Sequence, residues 1–417
     1  MKRRDFINTF GLGAGAAVAT GIAGCGGGNS ETAQQVAGGK DSTKTGSGVE
    51  AIKKYTAIGA TGLKMSDISM GCGGLDNPYV VERALDLGIN YFDTAPDYSS
   101  GQSEETLGKV FADPAKRDGC IVVSKLCKMG RYGGHFPPGT PEADLIAEVE
   151  GSLTRLQTDH IDILQIHAIA ERENDSPRLT DPEMLSAVAK LKEQGKVGHL
   201  GITSHGPYGM EDLLVQAIES GHYAMIMPAF NFMEHPRLSE VLKKAQENNV
   251  GVVAMKTLAG ARLEDLTRFE GVSGRIPEAA FKWVFTHPEV NGLVVTMRST
   301  AEVEFFVASS GKRFTAADQE ILEKYADAVW SQYCRTGCGD CLAHCPHGVA
   351  VADILRYDMY FTSYQDHLQA MTKYHRLPAA AKPYACTSCD GPCLAGCTFG
   401  LPVRERLIQA GQRLDLV

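Results

Sequence analysis

Eight short apolar runs that alternate with amphipathic segments constrain the fold of this chain more than any other feature of its sequence. The predicted strands are Ile68–Met70, Tyr91–Phe92, Ile121–Val123, Ile161–Ile166, Leu200–Ile202, Met225–Met227, Val250–Met255 and Leu293–Val295. Segments with helical periodicity between them include Val80–Leu87, Ala143–Leu156, Pro182–Gln194, Met210–Ser220, Leu238–Asn248 and Pro277–Thr286. Apolar strands that alternate with helices are typical of parallel β/α units. Eight units over about 240 residues predict an α/β chain with a closed (β/α)8 TIM barrel.

An open, doubly wound sheet is the alternative fold for such a pattern. A G-x-G-x-x-G turn after the first strand would favour the open sheet, because its glycines let a dinucleotide pyrophosphate approach the backbone. The segment after the first strand reads Gly71-Cys72-Gly73-Gly74 and lacks that spacing. We therefore expect the barrel.

Three successive predicted strands run into an ionisable residue, and these residues are Asp93, Lys125 and His167. Tyr98 lies in the loop that follows Asp93. Each residue on its own has an ordinary structural role open to it, as a turn cap, a solvated strand end or a core histidine. In a barrel, however, the carboxyl ends of the strands form the floor of one active site. Their joint placement therefore predicts a catalytic group.

These four side chains suit the reduction of a carbonyl by hydride. The carbonyl oxygen needs a proton donor, and a tyrosine with a pKa near ~10 is a weak one at neutral pH. A neighbouring ammonium lowers that pKa, so Lys125 is expected to assist Tyr98 while Asp93 holds the lysine charged and in place. His167 can donate a second hydrogen bond and orient the carbonyl.

The residues after Tyr98 add a family resemblance. The segment Asp93-Thr94-Ala95-Pro96-Asp97-Tyr98, followed by Gly101-Gln102-Ser103-Glu104-Glu105 and Leu107-Gly108, resembles the signature of the aldo/keto reductase family. The resemblance extends over roughly residues 54 to 310, about the length of a barrel. It implies an oxidoreductase that interconverts a small-molecule carbonyl and an alcohol with NADP(H). It also implies that Tyr98 is the general acid and that Asp93, Lys125 and His167 complete a tetrad.

The resemblance places the NADP(H) contacts at the ends of the later strands. The matching positions are Thr203, Ser204, Lys256, Leu258, Gly260, Arg298, Ser299 and Glu302. Arg298 suits a 2′-phosphate, because its planar guanidinium can bind a phosphate through two hydrogen bonds. Five positions depart from the residue that is usual in the family: Ser204, Met227, Met255, Glu302 and Phe306. These departures are compatible with an altered affinity, an unusual binding pose or loss of the cofactor.

Eight of the twelve cysteines form two runs of four near the C-terminus. The runs are Cys334-x3-Cys338-x2-Cys341-x3-Cys345-Pro346 and Cys386-x2-Cys389-x3-Cys393-x3-Cys397. Each resembles a bacterial ferredoxin motif with an inserted residue, which predicts two [4Fe–4S] clusters. In dicluster ferredoxins the fourth cysteine of each run binds the other cluster. That rule implies that Cys397 joins the first three cysteines of the first run, and that Cys345 joins the first three of the second.

Zinc and disulfide bonds are the two alternatives to iron–sulfur clusters for these cysteines. Four cysteines can hold a structural zinc ion tetrahedrally, and disulfides can form outside the cytoplasm. A barrel of this family followed by a small, mostly helical iron–sulfur domain resembles a known combination. In such a combination the clusters either carry electrons or stabilise the fold of the C-terminal region.

The first 25 residues are typical of an export signal. Arg3-Arg4 precede a Gly/Ala-rich, weakly apolar stretch, as in twin-arginine signals, and Ile22-Ala23-Gly24-Cys25 resembles a lipoprotein cleavage box. This pattern predicts export by the twin-arginine route to the periplasm or another extracytoplasmic location, with a lipid anchor at Cys25. The expected organisation is a signal at 1–25, a flexible linker at 26–53, the barrel at 54–325 and the iron–sulfur domain at 326–417.

The net charge of −9 excludes one class of partner. Because no basic stripe interrupts this charge, we expect no nucleic acid partner. A small-molecule substrate and an electron-transfer partner are expected instead. The alternative function is that of an exported iron–sulfur electron-transfer lipoprotein whose barrel is a non-catalytic binding module.

Overall fold

A closed barrel of eight parallel strands organises the computed structural model, which describes residues 49–130, 135–233, 238–260 and 275–415. Two short strands precede the barrel, whose own strands are β3 to β10. The bounds are β1 Tyr55–Ala57, β2 Lys64–Ser66, β3 Ile68–Gly71, β4 Tyr91–Asp93, β5 Ile121–Leu126, β6 Ile161–Ile169, β7 Val197–Ser204, β8 Met225–Pro228, β9 Gly251–Ala254 and β10 Gly292–Thr296. The sheet closes because β10 pairs with β3, with Leu293 opposite Ile68. The predicted barrel is confirmed, and the open doubly wound sheet is wrong.

Helices connect the barrel strands and cover them on the outside. Their bounds are α1 Pro78–Asp86, α2 Gln102–Phe111, α3 Pro114–Arg117, α4 Glu142–Leu156, α5 Pro182–Glu193, α6 Met210–Glu219, α7 Leu238–Glu247, α8 Ile276–Val284, α9 Thr300–Val307 and α10 Ala316–Val329. Helices α1 and α5 begin at a proline that follows Asn77 and Asp181, whose side chains each accept a first-turn backbone N–H. Such a cap followed by proline is a favoured way to begin a helix. The predicted boundary between residues 325 and 326 falls within α10.

The antiparallel hairpin of β1 and β2, which the strand pattern did not predict, packs its side chains into the barrel core. Ile58 and Met65 belong to the same buried cluster as the inward side chains of the barrel strands. Glycine at the first positions of β9 and β10 makes room for them: a Cβ on Gly251 would lie 2.4 Å from Ile58, and one on Gly292 would lie 2.5 Å from Met65. The hairpin therefore fills one end of the barrel and leaves the other for a site.

The C-terminal region is helical and has a core of its own. Its helices are α11 Val351–Thr362, α12 His367–His375 and α13 Val403–Leu414. Tyr360, Tyr374 and Leu407 are among the residues buried in its core. Residues Glu50–Val417 form one compact unit, in which α11 and α12 contact the segments that follow β9 and β10.

The first 48 residues lie outside the described part of the chain. The twin-arginine signal, the lipid anchor at Cys25 and the linker up to residue 48 therefore stay predictions. Within the described ranges, no helix combines the length and the apolar character that a membrane crossing requires.

Candidate active site

The structure brings the four side chains of the predicted tetrad together at the carboxyl ends of β4, β5 and β6. Asp93 is the last residue of β4, Lys125 lies near the end of β5, and His167 lies near the end of β6. Tyr98 begins a short 3-10 turn after β4. The side chains of Asp93, Lys125 and His167 are buried, and that of Tyr98 is partly buried.

Lys125 is the centre of this group. Its Nζ donates to Asp93 Oδ1 and to the Thr94 carbonyl oxygen, both at 2.7 Å, and lies 4.6 Å from the centre of the Tyr98 ring. The rings of Tyr98 and His167 meet edge to face with their centres 6.2 Å apart. The ammonium group is therefore held between a carboxylate and the tyrosine.

Gln165 is a member of the site that was not predicted. Its Nε2 donates to Asp93 Oδ2 at 2.9 Å, so that both oxygens of this carboxylate are bonded. The available signal was its position two residues before His167, because alternate residues of a strand point to the same face. A polar residue at that position in an apolar strand indicated an inward-facing hydrogen bond.

Burial and the neighbouring charges set the protonation of the tetrad. Burial alone would lower the pKa of Lys125, but Asp93 and Tyr98 hold it above its usual value. Burial raises the pKa of Tyr98, and the charge of Lys125 opposes this rise without reversing it. The effect of Lys125 has the predicted direction, but burial is larger, so Tyr98 is a protonated donor at neutral pH.

His167 is neutral at physiological pH. Burial lowers its pKa well below the usual range, and the charge of Lys125 adds to this. Its Nδ1 lies 3.7 Å from Asp97 Oδ2, and burial raises the pKa of Asp97 to about 6. A neutral imidazole still has one N–H and can donate it to a carbonyl oxygen.

Several residues predicted to contact the cofactor form bonds within the protein. Thr203 Oγ1 accepts from the Ala168 N–H at 2.8 Å, and the Ser204 hydroxyl donates to the Ile169 carbonyl at 2.8 Å. Lys256 follows β9 and donates through Nζ to the Tyr360 hydroxyl of α11 at 2.9 Å. The lysine predicted to reach the cofactor therefore binds a C-terminal helix.

The predicted cofactor contacts after β10 also form bonds within the protein. The Arg298 guanidinium pairs with Asp366, which caps α12, at 2.6 Å. Glu302 accepts from the Arg298 backbone N–H at 2.6 Å, and the Ser299 side chain caps α9. Two carboxylates thus already bind Arg298, where a 2′-phosphate was expected.

The cavity at the tetrad is small. Its volume is about 160 Å³, and its lining includes the tetrad, Leu258 and side chains of α11 and α12. Gly260 lines a second cavity between the barrel and the C-terminal region. Sites for drug-sized ligands usually measure roughly 300–1,000 Å³. An extended dinucleotide does not fit the cavity at the tetrad while α11 and α12 keep their contacts with Lys256 and Arg298.

The eight C-terminal cysteines are free thiols that lie in the predicted grouping. Burial raises the pKa of Cys334, and the neighbouring Cys338, Cys341 and Cys397 raise it further. Burial likewise raises the pKa of Cys386 to about 11, with contributions from Cys345, Cys393 and Cys389. The first three cysteines of each run therefore lie near the fourth cysteine of the other run.

Zinc is the alternative ligand for these cysteines that can be compared with a known geometry. With Zn–S bonds of about 2.3 Å, the sulfurs of a tetrahedral site are roughly 3.8 Å apart. Among the described residues, the one group of His, Cys, Asp or Glu whose ligand atoms all lie within 4.8 Å is Asp97, Cys127 and His167. Zinc therefore stays an alternative to the clusters for the C-terminal cysteines.

Comparison with known proteins adds an independent observation. A model described as "Aldo/keto reductase family" matches residues 77–271. Aldo-keto reductase YhdN of Bacillus subtilis is 32% identical over 234 residues, a match that covers 52% of this chain and 67% of that protein. L-galactose dehydrogenase of Arabidopsis thaliana is 28% identical over 306 residues, covering 64% and 92%. The solved holo form of aldo-keto reductase AKR11C1 from Bacillus halodurans has the same fold, with a TM-score of 0.51, 23% identity and coverage of 65% and 95%.

Proposed function

The chain belongs to the aldo/keto reductase family, and from this premise we propose that it is an oxidoreductase that interconverts a small-molecule carbonyl and the corresponding alcohol. The observation that carries the proposal is the group of Tyr98, Lys125, Asp93 and His167 at one end of the barrel. These residues match the family tetrad in type and order, and they lie in contact.

The tetrad residues divide the work at the substrate oxygen. Tyr98 is protonated at neutral pH and gives its proton to the oxygen as negative charge develops there. Lys125 stabilises the phenolate that is left, and Asp93 fixes the position of Lys125. His167 donates a second hydrogen bond that orients the carbonyl. In alcohol oxidation the same groups act in reverse.

NADP(H) is our prediction for the hydride carrier, because aldo/keto reductases generally use it. Its predicted contacts are occupied by Tyr360 and Asp366, so a dinucleotide can enter only when α11 and α12 release Lys256 and Arg298. The function proposed for the tetrad depends on proton transfer at Tyr98 and holds for any two-electron donor that reaches the same cavity.

Two [4Fe–4S] clusters in the C-terminal region are the second part of the proposal. The grouping of the eight cysteines supports it. The clusters either carry electrons to a partner or brace the region that covers the barrel. We further propose export by the twin-arginine route and a lipid anchor at Cys25. Mass spectrometry of the mature N-terminus tests the anchor.

A non-catalytic barrel in an electron-transfer protein is the second candidate. It is favoured by the engagement of Lys256 and Arg298 with the C-terminal helices and by the small cavity. The test is to assay anaerobically purified protein on short aldehydes, ketones and oxo acids with NADPH or NADH as donor. We expect turnover with at least one donor, lost in Tyr98→Phe. Absence of turnover with every donor supports the second candidate, whereas equal turnover in parent and variant contradicts the role proposed for Tyr98.

A further inference from the structure

The cavity at the tetrad has a second polar wall that the proposed reaction does not use. Tyr360 of α11 and Lys373 of α12 line it together with Lys256, on the same cavity as Tyr98 and His167. Lys256 donates to the Tyr360 hydroxyl at 2.9 Å, and Lys373 Nζ lies 4.6 Å from the centre of the Tyr360 ring. Tyr360 and Lys373 are almost fully buried, with 2% and 4% of their surface exposed.

This second wall is positively charged. The carboxylates that line the cavity have other bonds: Asp93 binds Lys125, Asp366 binds Arg298, and Glu302 accepts from the Arg298 N–H. Burial alone would raise the pKa of Tyr360, but the charges of Lys256, Lys373 and Arg356 lower it to about 8. The potential at the Tyr360 hydroxyl therefore favours negative charge.

Two ammonium groups and a phenol on one wall of the cavity can form charge-assisted hydrogen bonds to a small anion. The cavity of about 160 Å³ limits such an anion to a small molecule. The lysine wall and the tetrad wall bound the same space, so one ligand can contact both. A carboxylate near Lys256 and Lys373 leaves the carbonyl of the same molecule to Tyr98 and His167.

We propose that the cavity binds a small substrate with a carboxylate beside its carbonyl or hydroxyl group, held by Lys256, Lys373 and Tyr360. This inference rests on the proposed function, whose substrate class it names. An inorganic anion and the pyrophosphate of a dinucleotide are alternative anions that Lys256 by itself can bind. The small volume and the contribution of Lys373 from α12 favour the short organic acid.

Matched ligands test the proposal without turnover. Isothermal titration of the cluster-loaded full chain compares pyruvate with acetone, which lacks the carboxylate, and with inorganic phosphate. We expect pyruvate to bind at least about tenfold more tightly than acetone or phosphate, because hydrogen bonds to charged groups are the stronger ones. Equal binding of pyruvate and acetone overturns the proposal. Tighter binding of phosphate assigns the lysines to an inorganic anion and also overturns it.

Substitutions then locate the site. Lys373→Met and Lys256→Met are expected to weaken pyruvate binding at least about tenfold each. Lys382→Met is the matched control, because Lys382 is also almost buried and lies 4.7 Å from the centre of the Tyr374 ring, outside this cavity. We expect it to retain affinity within about twofold. If Lys373→Met does not fold, Tyr360→Phe replaces it, with an expected loss of at least about threefold.

The tetrad variant separates this inference from the proposed function. Tyr98→Phe should lose turnover but still bind pyruvate at least about tenfold more tightly than acetone, because the lysine wall is intact. Pyruvate affinity that is unchanged in both lysine variants overturns the inference and leaves the function standing. Intact lysine-dependent binding with full turnover in Tyr98→Phe overturns the proposed function and leaves the anion site standing.

Discussion

The two walls of the cavity carry the same pair of residue types, a tyrosine beside a lysine, in opposite electrostatic settings. On the barrel wall Asp93 compensates Lys125, burial dominates, and the pKa of Tyr98 lies above its usual value. On the wall formed with α11 and α12, two lysines and Arg356 outweigh burial and lower the pKa of Tyr360 to about 8. The balance between burial and the neighbouring cations therefore shifts the pKa values of the two tyrosines in opposite directions.

Loss of the phenol oxygen is expected to affect the two walls unequally, and this is the largest effect. Tyr98→Phe should reduce turnover about 10²–10⁴-fold, the usual contribution of general acid catalysis. Tyr360→Phe, the matched control, should keep turnover at saturating substrate within about threefold while raising KM. Steady-state kinetics with the active donor checks both. Equal losses of turnover in the two variants would contradict the division of roles.

The carboxylates of the two walls should differ in their effect on stability. Asp93→Asn leaves the buried ammonium of Lys125 without its charge partner, which typically costs about 3–5 kcal/mol in the free energy of unfolding. Asp366→Asn removes the partner of a half-exposed Arg298 and should cost about 0–1 kcal/mol. Anaerobic urea unfolding measures both. A loss below about 1 kcal/mol in Asp93→Asn would show that the buried pair is not needed.

The pH dependence of anion binding tests the second wall. Below pH 8 Tyr360 is neutral and Lys373 is charged, so the wall attracts a carboxylate. Burial, together with the charges of Lys256 and Arg356, lowers the pKa of Lys373 to about 8. Above pH 8, therefore, either Lys373 loses its positive charge or Tyr360 becomes a phenolate, and both changes weaken the attraction for an anion. We expect pyruvate affinity to fall by up to about tenfold per pH unit above 8. Titration calorimetry that finds constant affinity from pH 7 to 9.5 contradicts this.

The two cysteine sets are tested by iron content, which loss of one set should reduce by about a factor of two. Loaded protein should hold about eight irons per chain. The double variant Cys334→Ala/Cys397→Ala affects one predicted set and should retain about four, whereas Cys334→Ala/Cys345→Ala affects both sets and should retain almost none. Cys72→Ala, in the barrel core, is the control with unchanged iron. Analysis of iron and sulfide content distinguishes these outcomes. Stoichiometric zinc without iron would refute the clusters.

Sequence reasoning located the tetrad because a parallel barrel places every strand end at one rim. Once β4, β5 and β6 were predicted, Asp93, Lys125 and His167 had to lie near each other. It did not locate Gln165 or Tyr360, which have no motif around them. It also expected a lowered pKa at Tyr98, since a nearby ammonium is visible in the sequence whereas the degree of burial is not.

The sequence by itself determined the eight strands and their parallel order, because these follow from local periodicity. Only the tertiary structure decided that α11 and α12 cover the tetrad. The contacts that hold them there join Lys256 to Tyr360 and Arg298 to Asp366, residues 104 and 68 positions apart. Such contacts depend on how two packed regions dock. Docking is governed by the shape and charge of complete surfaces, which no short segment of the chain contains.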